Sequence, residues 1–270
     1  MNFQPLVPVG GLPGWVLLNK TMDRQTELFN QSPAIVRDTD YFEQNIGNVR
    51  SAEDLVSDRR LLQVALGAFG LGDDLNSRAL IKRVLEDGTS EPGALANRLA
   101  DERYTKLSDA FGFAEPGLPR TALAGFGREI ADRYRSLEFE VAVGEQDESL
   151  RLAMNARREL SEILQTDVSE DAKWFTIMGI PPLRKVFETA LGLPSSFAQL
   201  DIDRQLEEFK ELASDKLGID TLSVLNDDEV KEDFIRQFLL RDQIASFQVQ
   251  SSNAIALTLL QSAPSNFGTV

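Results

Sequence analysis

From residue 123 onward the apolar side chains fall at a stride of three or four: Leu123, Phe126, Ile130, Tyr134, Leu137 and Val141. A strand places its apolar side chains at every second residue. This longer stride gathers them on one face only if the chain coils at 3.6 residues per turn. The segment therefore reads as one long helix with a sustained apolar seam, closed near Gly144. Leu150, Met154, Leu160 and Leu164 outline an antiparallel partner, reached through a short acidic turn at Gln146-Asp147.

The same stride recurs almost everywhere else. Trp15, Leu18, Met22 and Leu28 begin an amphipathic helix that stops before Ser32-Pro33, fed by an extended, Pro/Gly-punctuated arm over residues 1–14. Ser51-Ala52-Glu53-Asp54 has the form of a capping box and opens a helix carrying Leu55, Leu62, Leu66 and Phe69, ended by Gly70 and Gly72. Leu75, Ala79, Leu80 and Val84 support the next helix, up to Asp87-Gly88. Another follows Glu91-Pro92, with Leu95, Leu99, Leu107 and Phe111 in register. Later elements are shorter. Trp174–Met178 ends at Gly179, Pro181-Pro182 starts a helix that stops at Gly192, and Ile202, Leu206, Phe209 and Ala213 line one closed by Gly218. Asn226-Asp227-Asp228-Glu229 signals a further start before Val230, Phe234 and Phe238. No long alternation and no hairpin turn between β-branched runs is present. The fold class is all-α, a multi-helix bundle. The expected organisation is an N-terminal arm and first helix over 1–31, a first helical subdomain over 32–118, a second with the long hairpin over 119–250, and a C-terminal tail over 251–270 with frayed last residues.

One internal echo stands out. Leu61–Leu71 can be laid over Leu183–Leu193 with Leu, Val, Ala, Gly and Leu coinciding, each copy a helix closed by Gly-Leu. A repeated helical unit accounts for this, giving two related helical subdomains. Chance accounts for it as well, because Leu and Ala match easily and Gly is the expected helix stop.

Composition narrows function more than fold. The 270 residues contain no Cys and no His. That removes thiolate nucleophiles, Ser-His-Asp triads and the usual zinc and iron ligand sets together. The net charge of −15 repels phosphate backbones and anionic membrane faces, so nucleic acid is a poor partner. No stretch reaches the ~20 apolar residues of a membrane span. The uncharged first 19 residues lack a basic leader and are interrupted by Pro5, Pro8 and Pro13, so no secretory signal is expected.

No residue qualifies as catalytic, cofactor-binding or metal-ligating. Asp38-Thr39-Asp40 and Asp201-Ile202-Asp203 resemble the start of a calcium loop without its later Gly and Glu, and read as helix caps. Gly67–Gly72 closes a helix, where a dinucleotide loop must open one. Gly10-Gly11-Leu12-Pro13-Gly14 does precede a helix but lacks a βαβ context. Arg59-Arg60, Arg133 with Arg135, and Arg157-Arg158 lie beside Asp58, Asp132 and Glu159 and read as solvated ion-pair faces. The Trp and Tyr residues read as core or interface members. Asn19-Lys20-Thr21 and Asn30-Gln31-Ser32 match the glycosylation pattern by coincidence. The stretch Ile244–Leu260 mixes apolar residues with Gln, Ser and Asn and carries no charge. Such a helix docks on a partner or packs on its own domain; packing on its own domain is the favoured reading.

Several blocks together resemble a known family. They are Phe3-Gln4-Pro5 with Val9-Gly10-Gly11 and Trp15, then Ser32-Pro33-Ala34, Arg37-Asp38 and Tyr41-Phe42, then Asp58–Leu62 through Ala68–Leu71. Val84–Gly88, Leu95–Asp101, Arg103-Tyr104 and Ala110–Phe113 continue the match, with looser agreement at Phe187, Ala190–Pro194 and Asp203. These resemble the alphaproteobacterial domain of unknown function 1217 family, whose members tend to be encoded among flagellar genes. The resemblance implies a helical protein of flagellum structure or assembly with no established activity, and it carries over no site residue and no cofactor. It implies a protein partner, a flagellar component, and a place in the cytoplasm or on the flagellum after export without a cleaved signal. A cytoplasmic escort or regulator of an exported subunit is the alternative. A carboxylate- or Lys-dependent enzyme is the third reading.

Overall fold

The computed structural model describes residues 3–117 and 119–262, with side chains other than those of Ser195 and residues 248–262. Every regular element among them is a helix. In chain order these are α1 (Gly11–Asn30), α2 (Pro33–Asn45), α3 (Ala52–Ser57), α4 (Arg59–Gly67), α5 (Arg78–Asp87), α6 (Leu95–Arg98) and α7 (Glu102–Phe111). There follow α8 (Phe126–Gly144), α9 (Glu148–Leu164), α10 (Glu170–Gly179), α11 (Pro181–Leu191), α12 (Ile202–Leu217) and α13 (Asp228–Ser262). The expected frayed end, residues 263–270, lies outside the described residues, and α13 passes unbroken through the 250/251 boundary.

The α8–α9 hairpin is the axis of the molecule. On one side α2 and α4 pack against each other and against α8. On the other, α11 and α13 pack against each other and against α9. The first helix lies across both halves, touching α2, α8, α9 and α13. One continuous hydrophobic cluster runs from Trp15 to Leu239. In the second half it includes a chain of aromatic rings, Trp174, Phe187, Phe209, Phe197 and Phe234, with neighbouring centroids 4.5 to 6.5 Å apart.

The two halves share local geometry. The pair α3–α4 is broken only at Asp58 (φ −94°, ψ 104°), and the pair α10–α11 only at Ile180 (φ −103°, ψ 103°). Helix α4 ends with Gly70 at φ 70° and the Leu71 amide donating to Leu66 O. Helix α11 ends with Gly192 at φ 68° and the Leu193 amide donating to Glu188 O, each bond 2.9 Å long. Both are Schellman caps, in which only glycine adopts the left-handed turn without strain. Each is followed by a 3₁₀ turn, Gly72–Asn76 or Ser195–Gln199, and then by a helix, α5 or α12. The sequence echo therefore coincides with one repeated succession of elements.

Several sequence expectations need correction. Helix α1 starts at Gly11, so the arm ends at Gly10; its Leu6 and Val7 amides donate to Gln25 and Gln146, which tie it down. Helix α2 was not expected from the apolar stride; Pro33 opens it, and Ile35, Thr39 and Phe42 turn inward. The helix expected from Ser51 is two, because the Asp58 carboxylate takes the Arg60 and Leu61 amides and starts a new helix there. The helix expected after Pro92 is also two, restarted by Asp101, which accepts from the Arg103 amide. Leu123, Val141 and Ile202, placed on apolar seams, are exposed.

Candidate functional site

A linked set of ion pairs lies along the α8–α9 hairpin. Arg158 of α9 makes two bonds to Glu140 of α8, at 2.8 and 3.2 Å, and a third to Glu159 at 2.6 Å. Lys106 of α7 bonds the other Glu159 oxygen and approaches Glu162, which also receives Arg133. Arg133 in turn donates to Ala68 O at the end of α4. Glu140 and Glu159 are 6% and 5% exposed. Burial raises the Glu140 carboxyl above its usual value despite Arg158. Burial acts on Glu159 in the same sense, but two cations, Arg158 and Lys106, outweigh it and hold its value low. Buried charges persist only when paired and hydrogen-bonded, and these are. The reading of Arg157-Arg158 as a solvated face is thus corrected for Arg158, which sits inside this network.

A cleft of about 400 Å³ opens on one side of the hairpin, between α4, α8, α9 and the start of α11. Gly67, Phe69, Leu137 and Val141 supply its apolar wall, and Glu140, Arg151, Arg158 and Glu159 its charged one. A second cavity of about 360 Å³ lies on the opposite side, lined by Met22, Phe139 and Met154, and the Glu140–Arg158 pair borders both. The guanidiniums of the first cleft are occupied: Arg103 by Asp101 and Gly70 O, Arg151 by Glu148, Arg158 by its two glutamates.

Glu138, like Glu140, is a carboxyl of this cleft that burial raises. Burial, with smaller repulsions from Asp38 and Glu145, pushes its carboxyl up to about 6. The local cause is a close helix crossing. A Cβ on Gly67 would lie 2.6 Å from the Tyr134 ring and 3.2 Å from Glu138, so the glycine lets α4 settle on α8 and cover the carboxylate. A value near neutrality is half of what a general acid requires.

The motifs weighed in the sequence take up structural positions. Asp201 accepts from the Asp203 amide and caps α12, whereas Asp38-Thr39-Asp40 lies inside α2 and caps nothing; there Asp38 pairs with Arg37. At the Gly10–Gly14 segment the Gly11 amide donates to Asp147 Oδ2 at 3.1 Å, while Asp147 Oδ1 takes the Leu150 amide. One carboxylate therefore caps both α1 and α9. Arg60 stacks on Tyr41, and Arg157 stacks on Trp15 and pairs with Glu232. Trp15, Trp174 and Tyr134 are buried, as core members should be.

The other candidate surface is the far half of α13. Phe234, Ile235, Phe238 and Leu239 are buried. Exposure then climbs through Leu240 at 40% and Ile244 at 57% to Phe247 at 62%. Steps of four and three put these three on one stripe. The favoured expectation that this segment packs on its own domain is corrected for Ile244 and Phe247; the side chains beyond lie outside the described residues. No helix among the described residues is long and apolar enough to cross a membrane.

Comparison with known proteins gives family and fold. The model of a family described as "Protein of unknown function (DUF1217)" matches residues 68–230. A crystal structure of protein AGR_C_984 from Agrobacterium tumefaciens, solved by a structural genomics consortium, is similar at a TM-score of 0.71 and 25% identity. The similarity covers 90% of this chain and 99% of that one. No curated protein matches.

Proposed function

Since the chain belongs to the DUF1217 family of proteins of unknown function, we propose that it is a non-enzymatic helical protein of flagellum structure or assembly that acts through protein–protein contacts. The observation that carries the contact reading is the stripe of Leu240, Ile244 and Phe247 on the far half of α13. Large apolar side chains aligned on an exposed helix face are a docking feature. The flagellar part rests on the resemblance of the sequence blocks to a family encoded among flagellar genes. Glu138 alone does not favour an enzyme, because the α4–α8 crossing accounts for its burial.

Deletion of the gene tests the reading. The expected strain swims poorly or lacks filaments; normal motility with normal flagella would overturn the proposal. Mass spectrometry of purified flagella against cytoplasm then separates the two roles. Recovery in flagella marks a component. Recovery only in cytoplasm, co-purified with one flagellar subunit, marks an escort.

A further inference from the structure

The extended arm before α1 is held by its main chain. On one edge Gln25 of α1 accepts the Leu6 N–H at Oε1, 2.5 Å away, and donates from Nε2 to Leu6 O at 3.4 Å. On the other edge Gln146, in the α8–α9 turn, donates to Pro5 O at 2.5 Å and accepts the Val7 N–H at 3.3 Å. A side-chain amide carries a donor and an acceptor side by side, so each glutamine takes the place that a neighbouring strand would hold in a sheet. The Phe3 N–H reaches Ser32 Oγ in the same way. Side chains alternate along the segment. Pro5 is buried and Phe3 and Val7 pack partly buried against the core, while Gln4 and Leu6 are exposed, Leu6 at 65%. The start of α1 does not depend on the arm, because Asp147 already caps the Gly11 N–H.

We propose that the groove between α1 and the α8–α9 turn is a recognition site for an extended, uncharged segment of a partner protein with the pattern apolar–x–Pro–x–apolar, and that the arm is its resident competitor. The arm defines the ligand, since Phe3–Val7 is the peptide seen seated there. Another segment that offers main chain at the same places satisfies both glutamines, whatever side chains it turns outward. Selection falls on the inward positions. Proline at the buried one is held extended before binding, so little conformational freedom is lost. The clamp itself consists of neutral amides and one hydroxyl, which favours a segment without charge. While the arm is seated, the affinity for such a segment is reduced by the fraction of chains whose groove is filled. This contact site is separate from the α13 stripe and does not rest on it, and its test is binding where that of the stripe is motility.

The probe is a synthetic peptide of residues 3–9, acetylated and carrying a dye, and the readout is fluorescence anisotropy with the full chain. Pro5→Asp puts a charge where Pro5 is buried and frees the arm. Leu6→Pro frees it more gently, removing an exposed side chain and the N–H that Gln25 accepts. Faster hydrogen exchange at the Val7 amide reports release in both variants. The probe is expected to bind each of them about tenfold or more tighter than it binds the wild-type chain. Adding Gln25→Ala and Gln146→Ala should weaken that binding by roughly thirtyfold or more, because four hydrogen bonds are lost. A probe methylated at the Leu6 nitrogen should bind poorly, and one with Leu6→Ala as well as the original. Failure of the probe to bind either released variant, or binding indifferent to the two glutamines, would overturn the proposal. A wild-type dimer in sedimentation equilibrium that Leu6→Pro abolishes would give the groove to the arm of a second copy and overturn a foreign occupant.

Discussion

Glu138 and Arg158 meet burial in opposite ways, and that makes both testable. The Glu138 carboxyl is lifted to about 6 by burial and by Asp38 and Glu145. A carboxyl whose folded value lies above its unfolded one favours folding while protonated. It opposes folding once pH rises through the folded value. Glu138→Gln is therefore expected to stabilise the protein at pH 8, by up to ~2 kcal/mol, and to leave it unchanged near pH 4. Urea unfolding at the two pH values measures this, and an equal effect at both would refute the assignment. Arg158 is the reverse case. Arg158→Met leaves Glu140 and Glu159 buried with one cation removed, at an expected loss of about 3–5 kcal/mol near neutral pH. The loss should shrink as acid protonates the two glutamates. Neither environment was legible in the sequence, where both residues are merely charged positions on helices. What buries Glu138 is Gly67, far away in the chain, and no local pattern encodes that crossing.

At the scale of elements, most helices were readable and several boundaries were not. The stride of Leu, Phe and Ile marked α8 and α9, and the Ser51 capping box is present as read. The stride ran on, however, across Asp58 and across Leu99–Asp101, where a carboxylate cap restarts the helix without breaking the apolar register. Helix α2 was missed because only Ile35 and Phe42 of its inward face are apolar, the third being Thr39, which bonds back to Ile35 O. The repeated Gly-Leu stop was legible and acquires a physical meaning as a pair of matching caps. Gly70→Ala and Gly192→Ala should each destabilise the protein by about 1–2 kcal/mol, because each forces a Cβ into a left-handed turn. Denaturation midpoints of the two variants check this. A negligible effect at either position would break the equivalence of the two caps.

At the scale of the molecule, a single core joins both halves, while one helix leaves that core and loses its charge. Composition already excluded histidine and thiol chemistry. It did not reveal which surface would be open, because exposure of Ile244 and Phe247 depends on where the body beneath α13 ends. The exposed stripe is the feature on which function by contact depends, and a strain carrying Ile244→Lys with Phe247→Lys in place of the wild-type gene tests it most directly. The account predicts a protein present at normal level and folded, in cells that swim as poorly as the deletion strain. Wild-type swimming by those cells would contradict it.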